Sequence, residues 1–125
     1  MKIEVKGRNL PVSDDLKDQV ARRFRVIDKQ VSEFAQLEVE VFEEHNPSIA
    51  DSQVAEATLH LKGVTLRARS ATRDLQHSIV EVSADLARQV KRHRDKRRRR
   101  REARARSAVD VGAAGVTGIG GARVR

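Results

Sequence analysis

Polar and apolar residues alternate with period two at the start of the chain, in Lys2-Ile3-Glu4-Val5-Lys6, and the run ends at Gly7. This predicts a strand with Ile3 and Val5 turned toward a core. Asn9-Leu10-Pro11 reads as a turn, and the period then changes. Ser13 is a good N-cap, Asp14 and Asp15 complement the helix dipole, and Leu16, Val20, Phe24 and Ile27 recur at helical spacing, with Val31 closing the stripe. A helix is expected over about residues 13–29. Leu37 to Val41 alternates again and is followed by a loop at His45-Asn46-Pro47-Ser48. Ala55 to Leu61 and Thr65 to Arg69 alternate on either side of Lys62-Gly63, a hairpin with a tight turn. Beyond Ser70, the positions Leu75, Ile79, Val82, Leu86 and Val90 form a second helical stripe, predicting a helix over about residues 73–96.

The order is therefore β-α-β-β-β-α. Strands that alternate throughout belong to an antiparallel-rich sheet with one dry and one wet face. The wet face would carry Glu38, Glu40, Glu56, Thr58, His60, Arg67 and Arg69. Both helices must then cover the dry face, giving an α+β two-layer sandwich: a four-stranded sheet with two helices on one face. Continuing the last stripe beyond Val90 meets His93, Arg97 and Arg101, so nothing remains to bury and the helix should leave the body or fray. The expected organisation is an α+β domain over 1–95, a basic helical extension over 96–106, and a disordered Gly-, Ala- and Val-rich tail or linker over 107–125.

Charge sharpens this division. Residues 1–87 hold 12 Lys or Arg against 15 Asp or Glu, and residues 88–106 hold 12 against 2. A slightly acidic body carrying a dense basic extension is an electrostatic footprint for a polyanion. The 125 residues suit one domain with one modest core. With no Cys there are neither disulfides nor thiolate metal sites. No apolar run is long enough to span a bilayer, and the N-terminus lacks the apolar middle of a signal peptide, so a cytoplasmic protein is expected. Three Phe, no Tyr and no Trp leave little for stacking bases on aromatic platforms.

Catalytic chemistry finds little support. His45, His60, His77 and His93 are scattered, and no metal-protease motif, Gly-rich phosphate loop or Ser-His-Asp ordering occurs. Gly118-Ile119-Gly120-Gly121 has neither a preceding strand nor a following helix and reads as linker. No enzyme activity, cofactor, metal or small-molecule substrate is expected.

The basic groups carry the functional expectation. Arg22, Arg25 and Lys29 fall within about 60° of one another on an unbroken first helix, opposite its apolar stripe, with Asp18 on the same face. Arg23, at the stripe's edge, is expected to lay its stem over the core. On the second helix Arg88, Lys91 and Arg92 face outward with Asp95, Arg94 lies at their flank, and Lys96, Arg97 and Arg98 open the arginine run. A basic amphipathic helix can also lie on membranes. Here the apolar stripe is committed to the sheet, and the basic part has no large apolar group to insert. Structured RNA, gripped at its phosphates by shape, is the favoured partner.

These residues also resemble a family, the ribosome hibernation-promoting factors, also called ribosome-associated inhibitor or light-repressed proteins. The resemblance lies in Ile3 through Asp14, with its Gly-Arg-Asn-Leu segment Gly7-Arg8-Asn9-Leu10 and Ser-capped helix. It continues in Thr65-Leu66-Arg67-Ala68, in Arg73-Asp74-Leu75 with Ile79, in Asp85-Leu86-Ala87-Arg88-Gln89 and in Lys91-Arg92. It covers about residues 1–95. Gln76-His77-Ser78-Ile79-Val80 departs from the Tyr-Ala-Ala-Ile-Asp of many members, and the arginine run is denser than usual. The resemblance implies a fold similar to the double-stranded RNA-binding domain. It also implies binding in the decoding channel of the small ribosomal subunit, over the aminoacyl and peptidyl sites. There the basic helices would contact rRNA and block tRNA and mRNA, inhibiting translation in stress or stationary phase. The candidate RNA-binding residues are Arg22, Arg25, Lys29, Arg88, Lys91, Arg92, Arg94, Lys96, Arg97 and Arg98. Dimerisation is expected only through a second domain of the kind long members carry. A general binder of structured RNA or DNA, and an assembly domain for acidic partners, are the alternative readings.

Overall fold

The computed structural model describes residues 1–46 and 48–117. Its elements are β1 (Lys2–Gly7), α1 (Asp14–Arg23), α2 (Arg25–Asp28), β2 (Gln36–Glu43), β3 (Gln53–Leu61), β4 (Val64–Thr72) and α3 (Leu75–Thr117). By internal contacts the chain divides into two compact units, one from Met1 to Val90 and one beginning at Lys91.

In the first unit the four strands form one sheet in the order β1-β2-β3-β4. β1 runs parallel to β2, with Ile3 opposite Leu37 and Val5 opposite Val39. β2–β3 and β3–β4 are antiparallel. Leu61 pairs with Val64 across Lys62-Gly63, and Gly63 takes φ 80°, a left-handed conformation that a glycine adopts without a Cβ penalty. Leu37, Val39, Val41, Ala55, Ala57, Leu59 and Ala68 share a core with Leu16, Val20, Phe24 and Ile27, and with Ile79, Val82, Leu86 and Val90 of α3. The helices thus bury their apolar stripes on one sheet face, as the period-two and period-3.6 patterns require. The α+β two-layer architecture read from those patterns is the one found.

Three local features differ from expectation. The first helix is not continuous, because Phe24 (φ −95°, ψ 7°) separates α1 from α2. The Phe24 N–H still donates to Val20 O (3.0 Å), and the Asp28 N–H donates to Phe24 O (3.1 Å). The helical ladder is thus interrupted at Phe24, which keeps one bond to the turn on each side, and Phe24 and Ile27 both stay fully buried. Second, the outer sheet face is not wet throughout. Phe42 and Val54 pair across β2–β3 and are buried outside the main core, with the Arg8 guanidinium 3.9 Å from the Phe42 ring centroid. A cation–π contact closes that end of the face. Third, α3 runs to Thr117, so the backbone at 107–117 is helical where a structureless tail was expected. Ala108, Ala113 and Ala114 favour helix in that stretch, and no proline interrupts it. The rest of the expected tail, 118–125, lies outside the described residues.

Candidate nucleic-acid interface

The outer sheet face is the first surface to weigh, because it is broad and charged. Its charges are largely matched. Arg8 pairs with Glu40 (2.5 Å), Arg69 with Glu56 (2.8 Å) and Lys6 with Glu4 (3.5 Å), and His60 Nε2 lies within hydrogen-bond distance of Glu38 (3.3 Å). The hydrogen bond from Arg8 to Glu40 holds the guanidinium pKa above its ordinary value. A shallow depression of about 310 Å³ lies over Glu56, Thr58, Arg67 and Arg69, and the Arg67 backbone carbonyl accepts a hydrogen bond from Gln89 Nε2 at 2.7 Å. A mosaic of this kind has little net attraction for phosphates.

The Gly-Arg-Asn-Leu segment is structural. A Cβ on Gly7 would fall 2.1 Å from the Leu10 carbonyl oxygen. Arg8 stacks on Phe42 while bonded to Glu40. The Asn9 side chain donates to Glu43 O and accepts from Glu43 N–H, both at 2.8 Å, which extends the β1–β2 ladder by one amide after β1 has ended. Its Nδ2 also lies 2.7 Å from His45 Nε2. The segment locks the start of α1 to the end of β2.

Ser13 sets the register of α1, its Oγ accepting from the Leu16 N–H at 3.1 Å. Arg22 lies at the end of α1, Arg25 opens α2 and Lys29 follows its last residue; all three are exposed. The break at Phe24 falls between Arg22 and the other two. Arg22 is joined by Arg23, and the two line a cleft of about 130 Å³ with Gln19, Gln76 and Ile79. Arg23, expected to lay its stem over the core, is exposed and lines this cleft with Gln76. Their meeting depends on how α1 packs against the first turn of α3, which neither helix's spacing reveals. That first turn is itself anchored by Ser78, whose buried hydroxyl donates to Gln53 O (2.6 Å) and lies 2.7 Å from Thr72 Oγ1. Ser78 falls in the segment that departs from the familiar pattern, and here it ties α3 to β3.

Arg88, also in the first unit, is exposed and paired with Asp85 at 3.4 Å. In the second unit Lys91, Arg92, Arg94, Lys96, Arg97 and Arg98 are all exposed. Arg98 pairs with Asp95 at 3.6 Å. Among the described residues no carboxylate lies within ion-pair distance of Arg22, Arg25, Lys29, Lys91, Arg92, Arg94, Lys96 or Arg97. An unpaired, solvated cation gives up only water and counterions when it meets a phosphate, whereas a paired one must first break its bond. Among the described residues no cluster of His, Asp and Glu is placed to hold a metal ion, and no helix is long and apolar enough to cross a membrane.

Comparison with known proteins bears on this arrangement. Residues 3–98 match the model of the family described as sigma 54 modulation protein / S30EA ribosomal protein. The chain belongs to that family. A family relative named ribosome hibernation promotion factor, from Picosynechococcus sp., is 30% identical over 97 residues, which cover 77% of this chain and 50% of that protein. The chain thus spans half the length of this relative. The ribosome hibernation promoting factor of Salmonella typhimurium is 28% identical over 96 residues, 77% of this chain and 96% of that one. Among solved structures, the N-terminal domain of Thermus thermophilus Protein Y superposes with a TM-score of 0.64 at 26% identity, covering 74% of this chain and 99% of that one. A ribosomal subunit interface protein from Coxiella burnetii shares the fold (TM-score 0.63, 14% identity, 76% of this chain and 99% of that one).

Proposed function

We propose that this protein is a cytoplasmic ribosome hibernation factor that occupies the decoding channel of the small subunit and excludes tRNA and mRNA. The observation that carries the reading is the partition of charge in a member of this family. The outer sheet face is ion-paired, while the exposed cations of α1, α2 and α3 are mostly free of carboxylates. A small domain with such helices grips an RNA by its phosphates and its shape, without reading bases. Inhibition is then steric, and it needs no cofactor and no bond-making. The relatives named as hibernation factors support the assignment of the ribosome as partner. The partly matched Arg88 and Arg98 are the weaker contacts of the set; Arg22, Arg25, Lys29, Lys91, Arg92, Arg94, Lys96 and Arg97 are the stronger.

The test is co-sedimentation with purified small subunits, with and without excess tRNA and mRNA, beside a variant carrying Lys91→Ala, Arg92→Ala and Arg94→Ala. Saturable one-to-one binding that tRNA abolishes and the variant weakens at least tenfold is the expected result. Binding that never saturates and ignores tRNA would instead describe a general binder of structured RNA.

A further inference from the structure

The extension looks basic on every side in the sequence, but as a helix it has two different sides. At about 100° per residue, Asp95 and Glu102 fall within about 20° of each other. They are the only acids between Lys91 and Ser107. Lys91, Arg98 and Arg106 share their side, and Arg92 and Arg99 flank it. Arg98 is drawn onto Asp95 (3.6 Å). The opposite arc, about 160° wide, carries Arg94, Lys96, Arg97, Arg100, Arg101 and Arg104 and no acid. From Arg94 to Arg104 this stripe is about 15 Å long. All six side chains are exposed.

Such a stripe is costly to an isolated helix. Arg97 has like charges at Arg94, Arg100 and Arg101, and Arg100 has them at Lys96 and Arg104, all at spacings of three or four with no acid to relieve them. A regular array of anions lying along one side of the helix removes that repulsion at every position together. We propose that Arg94, Lys96, Arg97, Arg100, Arg101 and Arg104 form a single phosphate-docking face for an RNA backbone, and that Arg98, Arg99 and Arg106, beside Asp95 and Glu102, stay in solvent. The inference rests on the reading of the chain as an RNA binder. It adds Arg100, Arg101 and Arg104 to the contacts and removes Arg98 from them.

Two variants of the full chain with equal charge loss test it: Arg97→Gln, Arg100→Gln and Arg104→Gln together, against Arg98→Gln, Arg99→Gln and Arg106→Gln together. The probe is an RNA duplex of about 20 base pairs, long enough to offer the phosphates of such a stripe. Binding is followed from low to moderate salt, with circular dichroism to establish that both variants keep their helix. Loss of three phosphate contacts lowers the log–log salt slope by about 2 to 3 and weakens binding at least roughly tenfold. That is expected of the first variant, and a change of less than about one in slope is expected of the second. Equal effects of the two variants, no binding of the wild-type chain, or the same discrimination between them with polyglutamate in place of RNA would each overturn the proposal. Because the probe is not ribosomal, the face can stand even if tRNA fails to compete at the small subunit. It can also fall while decoding-channel binding persists.

Discussion

At Gly7 a side chain has nowhere to go. A Cβ would sit 2.1 Å from the Leu10 carbonyl oxygen and 2.9 Å from a Val12 methyl, so backbone has to move. Gly7→Ala should destabilise the fold by about 2–4 kcal/mol, read as a lower urea midpoint at unchanged m-value. A loss under about 0.5 kcal/mol would show that the turn relaxes freely. Arg8 leads to a prediction about pH. Its guanidinium is held above its ordinary pKa by Glu40, and a raised folded-state pKa contributes stability below the unfolded value that is lost only as pH rises through the folded one. That window lies beyond the neutral range. The stability difference between wild type and Arg8→Ala should therefore be flat between about pH 7 and 9 in denaturant titrations. A slope across that interval would assign the contact to another titrating group.

Among the elements, α3 is the one whose stability depends on its surroundings. From Leu75 to Val90 it is held by Ile79, Val82, Leu86 and Val90 in the core and by Ser78 at its first turn. From Lys91 onward the side chains to Ser107 offer no such apolar stripe, and like charges recur at helical spacing. Screening should strengthen that part, because repulsion between exposed charges falls with ionic strength. Raising NaCl from about 20 to 500 mM should deepen the circular dichroism at 222 nm without moving the thermal midpoint of the sheet domain much. A constant signal would mean that the helix of the second unit is indifferent to its own charge. The strands and their order were legible because alternation has only one reading on a sheet packed on one side: Leu37, Val39 and Val41 inward, Glu38 and Glu40 outward. The break at Phe24 was not legible. Leu16, Val20, Phe24 and Ile27 keep the spacing of an unbroken helix, and a single ψ near 0° leaves no trace in the order of residue types.

For the molecule as a whole, charge decides what it can bind and under what conditions. The chain carries a net +8, and its excess of positive charge resides in the basic segment, while the body before Arg88 has more acids than bases. If six or more of the unpaired cations meet phosphates, affinity for small subunits should fall by about three to five decades between 50 and 200 mM salt. A shallow dependence, under about one decade, would point to contacts other than phosphates. The candidate cations stood out because their spacing puts them away from the apolar stripes of the helices. Which of them are free was not readable. Asp85 takes Arg88 and Asp95 takes Arg98, and Arg23 meets Arg22 and Gln76 at a cleft that exists only once α1 and α3 have packed.

The order of strands and helices, the buried stripe of each, the Ser13 cap, the Lys62-Gly63 turn and the basic character of the final helix all follow from local rules of spacing and turn chemistry, so the chain alone specifies them. The roles of Gly7, Arg8 and Asn9 do not follow from such rules. Asn9 needs Glu43, Arg8 needs Glu40 and Phe42, and Gly7 needs the returning carbonyl of Leu10. Most of those partners lie more than thirty positions away along the chain. Folding alone brings them within reach, which is why a motif that marks the family in the sequence turns out to be a brace for its sheet.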